Sequence, residues 1–247
     1  MTKSLLLIFA HPDDETFLAG GVAARYADEG ADVALVTATR GESGKVGEPP
    51  VCTSDELPAV REAELRAAAA ALGIKAVTLL GYRDRELALA PVVDVRRALV
   101  EAIRRQRPGV VVTFDPNGSN GHPDHIVISR FVSDAVTAAA DPRWLPEEGD
   151  AFQVGRVLWT PPARPWELAC ADDRRSRPGV DFEIDIRPWK ERKLRALAAH
   201  RTQVLSANRV FLNHPDRERR LAVEVFRQAW GPPLAARPLT DLFDGLR

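Results

Sequence analysis

Two short clusters hold the side chains best suited to chemistry: His11-Pro12-Asp13-Asp14-Glu15 and His122-Pro123-Asp124-His125. Two neutral imidazoles and one carboxylate suit a zinc ion that keeps an open position for water, at ~2.0 to 2.2 Å from each donor. Such a cation lowers the pKa of water to roughly 7 and polarises a carbonyl oxygen. The neighbouring Asp13 and Asp14 allow a division of labour, one carboxylate on the metal and the other free to take a proton. A metal-dependent hydrolase is the leading reading. The same donor set describes the facial triad of a non-haem Fe(II) oxygenase, and a sugar- or nucleotide-binding protein with a degenerate pocket is the non-catalytic alternative. Taken singly, Asp13 or Asp14 would serve as a helix cap and Glu15 as a favourable charge in a first helical turn.

Position strengthens the catalytic reading. Each cluster follows an apolar run, Leu5 to Ala10 and Val110 to Phe114, that reads as a strand. Further strands are expected at Asp32 to Thr39, Ala76 to Leu80 and Gly155 to Thr160. Helical patterns separate them, from about Phe17 to Glu29, Pro58 to Leu72, Pro91 to Gln106 and about Asp124 to Ala139. This alternation predicts an α/β fold, a Rossmann-like, mostly parallel sheet with helices on both faces, in a single domain over residues 1–247. With strand order 3-2-1-4-5, strands one and four are neighbours, ~4.8 Å apart, and the crevice outside their carboxyl ends collects both clusters. Beyond Thr160 the pattern weakens. Residues 161–178 have loop composition, as lids and binding loops do; Phe182 to Ile186 alternates as a strand, and Pro188 to about Leu205 reads as a helix. Leu221, Val223 and Val225 fit either a strand or a helix.

Composition narrows the partners. Thirty-four basic residues against 35 acidic ones, a net charge of -1, provide no field for nucleic acid. The amino terminus lacks a cleavage signal, and no stretch approaches the ~18 apolar residues of a membrane span, so a cytoplasmic protein is expected. Cys52 and Cys170 are isolated and read as reduced thiols. Monomer and homo-oligomer both stay open.

At these residues the chain resembles the PIG-L/LmbE-like family of zinc-dependent de-N-acetylases. The resemblance runs through Ala10-His11-Pro12-Asp13-Asp14-Glu15, Thr39 to Gly44, Arg61 and Glu64, Tyr82-Arg83-Asp84, Asp115 to Gly118, Gly121 to His125 and Ala199 to Gln203. It implies zinc, or another divalent metal such as Fe2+, on His11, Asp14 and His125. Asp13 would be the general base and His122, as an imidazolium, the donor to the oxyanion. It further implies substrate contacts from Arg61 and Asp84, with Glu42 and Asn120 at the pocket, and a small N-acetyl sugar as substrate, whose aglycone the loop at residues 161–178 would choose. Asp124 would hold His122 or a neighbouring histidine in its tautomer. Arg61 could equally pair with Glu62 or Glu64 on its helix, and a packed imidazole is the expected state of His200. A mycothiol-conjugate-type amidase is the nearest alternative activity. Some thiol-pathway relatives carry tyrosine where this chain has Asn120. Asparagine donates a hydrogen bond but is no general acid, which counts against a mycothiol-type assignment.

Overall fold

A computed structural model describes residues 3–160 and 180–246. Its strands are β1 (Ser4–Phe9), β2 (Asp32–Thr39), β3 (Ala76–Tyr82), β4 (Val110–Phe114), β5 (Arg156–Thr160), β6 (Phe182–Asp185) and β7 (Val223–Trp230). They form one sheet in the order β3-β2-β1-β4-β5-β7-β6. The first five are parallel, and β7 and then β6 extend the sheet antiparallel. β4 is buried throughout and β1 nearly so, which explains why both are continuous apolar runs rather than alternating ones. Leu5 pairs with Val110 and Leu7 with Val112. The carboxyl ends of β1 and β4 therefore lie side by side, each delivering one histidine cluster to the same crevice.

The helices that link the parallel strands are α1 (Asp14–Asp28), α2 (Leu57–Leu72), α3 (Val92–Gln106) and α4 (Pro123–Ala140); α5 (Lys190–Ala199) follows β6. They pack in two groups, α1 with α2 and α5, and α3 with α4. Right-handed crossovers put the groups on opposite faces of the sheet. The apolar stripes read from sequence face inward: Leu65, Ala68 and Leu72 of α2, and Val95, Leu99 and Ile103 of α3, are buried.

Three expectations change. α1 begins at Asp14, three residues before the expected Phe17, so the first cluster is the helix start itself and Asp13 makes no side-chain cap. The helix expected from Pro188 to Leu205 ends at Ala199, and short 3-10, α and π turns follow in succession from Arg201. Of the ambiguous tail residues, Val223 and Val225 lie in strand β7, while Leu221 precedes it, at the end of a short helical turn. Residues 161–178, expected to choose the aglycone, and Cys170 lie outside the described residues. Among the described residues no helix is long and apolar enough to cross a membrane.

Candidate active site

Asp13 sits in the turn from β1 to α1 with φ 140° and ψ −28°. A non-glycine residue there stores about 1–3 kcal/mol of strain, which persists only when its surroundings hold it. Arg61, buried in α2, supplies much of that hold. Its guanidinium donates to the carbonyls of Pro12 and Gly41 and lies 3.5 Å from an Asp13 carboxylate oxygen. Gly41 has φ 65°, and a Cβ there would come within 2.0 Å of the Arg61 Nη1, so a larger residue would push the guanidinium out. The Asp13 amide donates to Glu15 at 3.1 Å, and the His11 amide donates to Asp14 at 2.8 Å.

The second cluster opens α4 with His122 as N-cap and Pro123 in the first turn, a favoured place for proline. His122 Nδ1 accepts the Asp124 amide at 3.2 Å, so its proton belongs on Nε2. Asn120 Oδ1 in turn accepts the His122 amide at 3.0 Å. The His125 ring stacks on Phe114 with centroids 3.9 Å apart, and its Nδ1 donates to the Gly118 carbonyl at 3.1 Å. Gly118 has φ 70°, and a Cβ there would approach the His125 Cβ to 2.8 Å. With Nδ1 committed, His125 Nε2 presents its lone pair.

His11 is oriented the same way. Its Nε2 lies 3.1 Å from Asp124 Oδ2 and 3.1 Å from Asp84 Oδ1. Ionised carboxylates only accept, so the His11 proton belongs on Nε2 and Nδ1 is a free donor atom. That Nδ1 stands 3.1 Å from His125 Nε2 and 3.5 Å from Asp14 Oδ2, and His125 Nε2 is 3.4 Å from Asp14 Oδ1. Tetrahedral ligands at ~2.0 to 2.1 Å from a cation are separated by ~3.3 to 3.4 Å. The two ring nitrogens thus stand at about the separation of two such ligands, with one oxygen of the Asp14 carboxylate near each of them. Two ring nitrogens facing each other with their protons committed elsewhere are a donor set made for a cation. The trios His11, His122, His125 and His11, Asp84, Asp124 also gather within 4.8 Å. The carboxylates of the latter are already tied to backbone amides, Asp124 by Arg85 at 2.6 Å and Asp84 by Ser43 at 3.1 Å; they act on His11 rather than replace it.

The adjacent carboxylates are driven apart. Burial raises Asp13 to about 6, against the pull of Arg61 and with help from Asp14. Burial acts on Asp14 too, but His125 and His11 overcome it and hold Asp14 at about 2. Burial also opposes charge on His11, yet the carboxylates of Asp124, Asp14 and Asp84, which accept hydrogen bonds from the protonated ring, raise its pKa well above the usual imidazole value. His122 is lowered by burial and then by the neighbouring His11 and His125. That direction agrees with an Nδ1 that accepts the Asp124 amide, whereas an imidazolium is the form the resemblance implied.

Comparison with known proteins decides the family. Residues 6–136 match the family described as PIG-L, GlcNAc-PI de-N-acetylase. The chain belongs to this family. Its relatives include a 1D-myo-inositol 2-acetamido-2-deoxy-alpha-D-glucopyranoside deacetylase from Rhodococcus erythropolis, 39% identical over 247 residues, covering 83% of this chain and 82% of the relative. The relative of the same name from Thermobifida fusca is 37% identical and aligns over 98% of this chain and 99% of its own. Among solved structures, the conserved protein TT1542 from Thermus thermophilus is 29% identical with a TM-score of 0.71, over 94% of this chain and 97% of that one. This PIG-L protein is thus similar over most of its length to relatives named as inositol-glycoside deacetylases. Its parallel sheet and family membership also set aside the oxygenase and non-catalytic readings.

In this PIG-L protein a cavity of about 380 Å³ opens over the cluster, and His11, Asp13, Arg61, Asp84, Asn120 and His122 line it. Glu42 is not among the lining residues; its carboxylate accepts the Asp84 amide at 2.9 Å from behind. Arg61 and Glu64 do not pair with each other. Glu64 instead grips Thr202 through its amide at 2.9 Å and its hydroxyl at 2.6 Å. The far wall, including Phe17, Lys193, Phe211 and Glu224, was not legible as part of the site, because those residues come from four separate segments with no motif of their own.

Proposed function

We propose that this PIG-L family member is a hydrolase that removes the N-acetyl group of an N-acetylglucosamine-type sugar conjugate, releasing acetate and the free amine, with zinc as its cation. The observation that carries this reading is the facing pair His11 Nδ1 and His125 Nε2, 3.1 Å apart, with one Asp14 oxygen 3.5 Å from the first and the other 3.4 Å from the second, and a second carboxylate, Asp13, beside them. A bound divalent cation supplies Lewis acidity at the acetamide oxygen and lowers the pKa of water to roughly 7. Asp13, held by Arg61 and open to the cavity, takes the proton of the attacking water and delivers it to the departing amine. His122 donates from Nε2 to the oxygen on which negative charge develops. Arg61 keeps the base in place, and Asp84 and Asn120 on the cavity wall are the contacts for sugar hydroxyls. The relatives' names favour an inositol aglycone among the N-acetylglucosaminides.

The test is an acetate-release screen over N-acetyl sugars, including that inositol glycoside, with and without chelator. Acetate release that stops on chelation and returns with zinc is expected. Release unaffected by complete metal removal, or none from any N-acetyl sugar, would overturn the reading.

A further inference from the structure

We propose that Glu15 and His200 are positioning residues for Asp13, forming a buried strut that holds the general base in its strained backbone conformation. The inference rests on the assignment of Asp13 made above and adds residues that touch neither cation nor cavity. Glu15 and His200 side chains have 0% exposure, whereas the Asp13 side chain keeps 17%. Glu15 spends its two oxygens in opposite directions. Oε2 accepts the Asp13 amide at 3.1 Å, while Oε1 accepts the Thr16 hydroxyl at 2.5 Å and faces His200 Nε2 at 3.0 Å. A carboxylate gripped by two donors on one oxygen cannot swing, so the other oxygen is a fixed anchor for the amide of a residue at φ 140°. Arg61 fixes the same peptide from the opposite side, through the Pro12 carbonyl.

His200 is itself placed by tertiary structure. It follows the last residue of α5, and the next turn is tied to α2 by the two Glu64 bonds to Thr202 and to the loop after β2 by Gln203 donating to the Lys45 carbonyl at 3.0 Å. The imidazole pays for this placement by leaving Nδ1 buried without a hydrogen-bond partner. Of its two nitrogens, only Nε2 has a partner in the described structure. An imidazole kept solely for packing would gain from replacement by an apolar ring; one kept for Nε2 would not.

His200→Phe fills the volume and removes the donor, whereas His200→Gln restores a donor near Nε2. His200→Phe should retain zinc, keep KM within twofold and lose at least tenfold in kcat on the N-acetylglucosaminide that the parent deacetylates; His200→Gln should recover most of it. In an Asp13→Ala background His200→Phe should leave the residual rate unchanged, because its effect runs through Asp13. Thr16→Val, which takes a donor from the same oxygen at constant volume, should give the same pattern more weakly and serves if His200→Phe does not fold. Hydrogen exchange at the Asp13 amide needs no substrate and should accelerate at least fivefold in either variant. Unchanged exchange together with parent kcat, or equal kcat losses with and without Asp13, would overturn the strut. Loss of acetate release from the parent itself would instead count against the deacetylase reading, and the exchange measurement would still decide the strut.

Discussion

Asp13 and Asp14 are adjacent and chemically identical, and the division between them is made by neighbours far away in sequence. Asp14 lies between His11 and His125; Asp13 turns toward Arg61. Asp13→Ala should keep the cation and the fold while turnover falls by roughly a hundredfold or more, as for a general base. Metal analysis and single-turnover kinetics on the same preparation check this, and a parent-like rate would remove Asp13 from the role. The residue types of both clusters were legible in the sequence because metal and proton chemistry draw on few side chains. The partner of Asp124 was not. It lies on His11 Nε2, a pairing set by the β1-β4 register and invisible along the chain.

At the scale of elements, α1 is interrupted. Ala19 has φ −143° and ψ 16° inside the helix, so the turn that follows begins with unpaired amides. Glu224 of β7 accepts two of them, from Gly21 and Val22 at 2.8 Å each, and binds Lys193 of α5 at 2.6 Å. Both charged residues are buried. Removing one partner of such a pair leaves an uncompensated buried charge, at a cost of about 3–5 kcal/mol. Glu224→Ala should lower unfolding stability by that order in urea titration, with loss of order in α1. A change below ~0.5 kcal/mol, the range of an ordinary surface substitution, would mean that the carboxylate does not support the helix. The break of the expected 188–205 helix at His200 has a similar cause. Helical periodicity continues past Ala199, but His200 adopts φ −79° and ψ 63°, turning its imidazole onto Glu15. A buried hydrogen bond to a carboxylate overrides a local preference worth only tenths of a kcal/mol per residue.

For the molecule as a whole, the two ends of the described chain are fastened together. Asp241 accepts the Tyr26 hydroxyl at 2.8 Å, the Phe243 amide at 2.9 Å and Lys3 Nζ at 2.9 Å, and the Leu242 amide donates to the Tyr26 oxygen at 2.7 Å. Burial alone would raise the Asp241 pKa, but the Phe243 amide, Lys3 and Tyr26 outweigh it and lower it. A carboxyl depressed below its unfolded value of ~3.9 stabilises the fold fully above that pH and loses the contribution as pH falls through the lowered value. Exchange protection of the Leu242 and Phe243 amides should therefore decline in acid below about pH 4. Asp241→Asn should weaken protection at neutral pH and abolish the acid-dependent decline; the same decline in the variant would assign it elsewhere.

The amino-acid sequence by itself determined the alternating strands and helices, the parallel core and the two histidine clusters. These are local properties: apolar periodicity, helix-start chemistry and residue type are complete within a dozen positions. The tertiary structure alone shows which nitrogen of each histidine is committed to a hydrogen bond, that Asp14 lies between His11 and His125 while Asp13 turns to Arg61, and that Glu15 and His200 meet. Those outcomes depend on atoms brought within about 3 Å from opposite ends of the chain, where strand order and register, rather than neighbours in sequence, choose the partners.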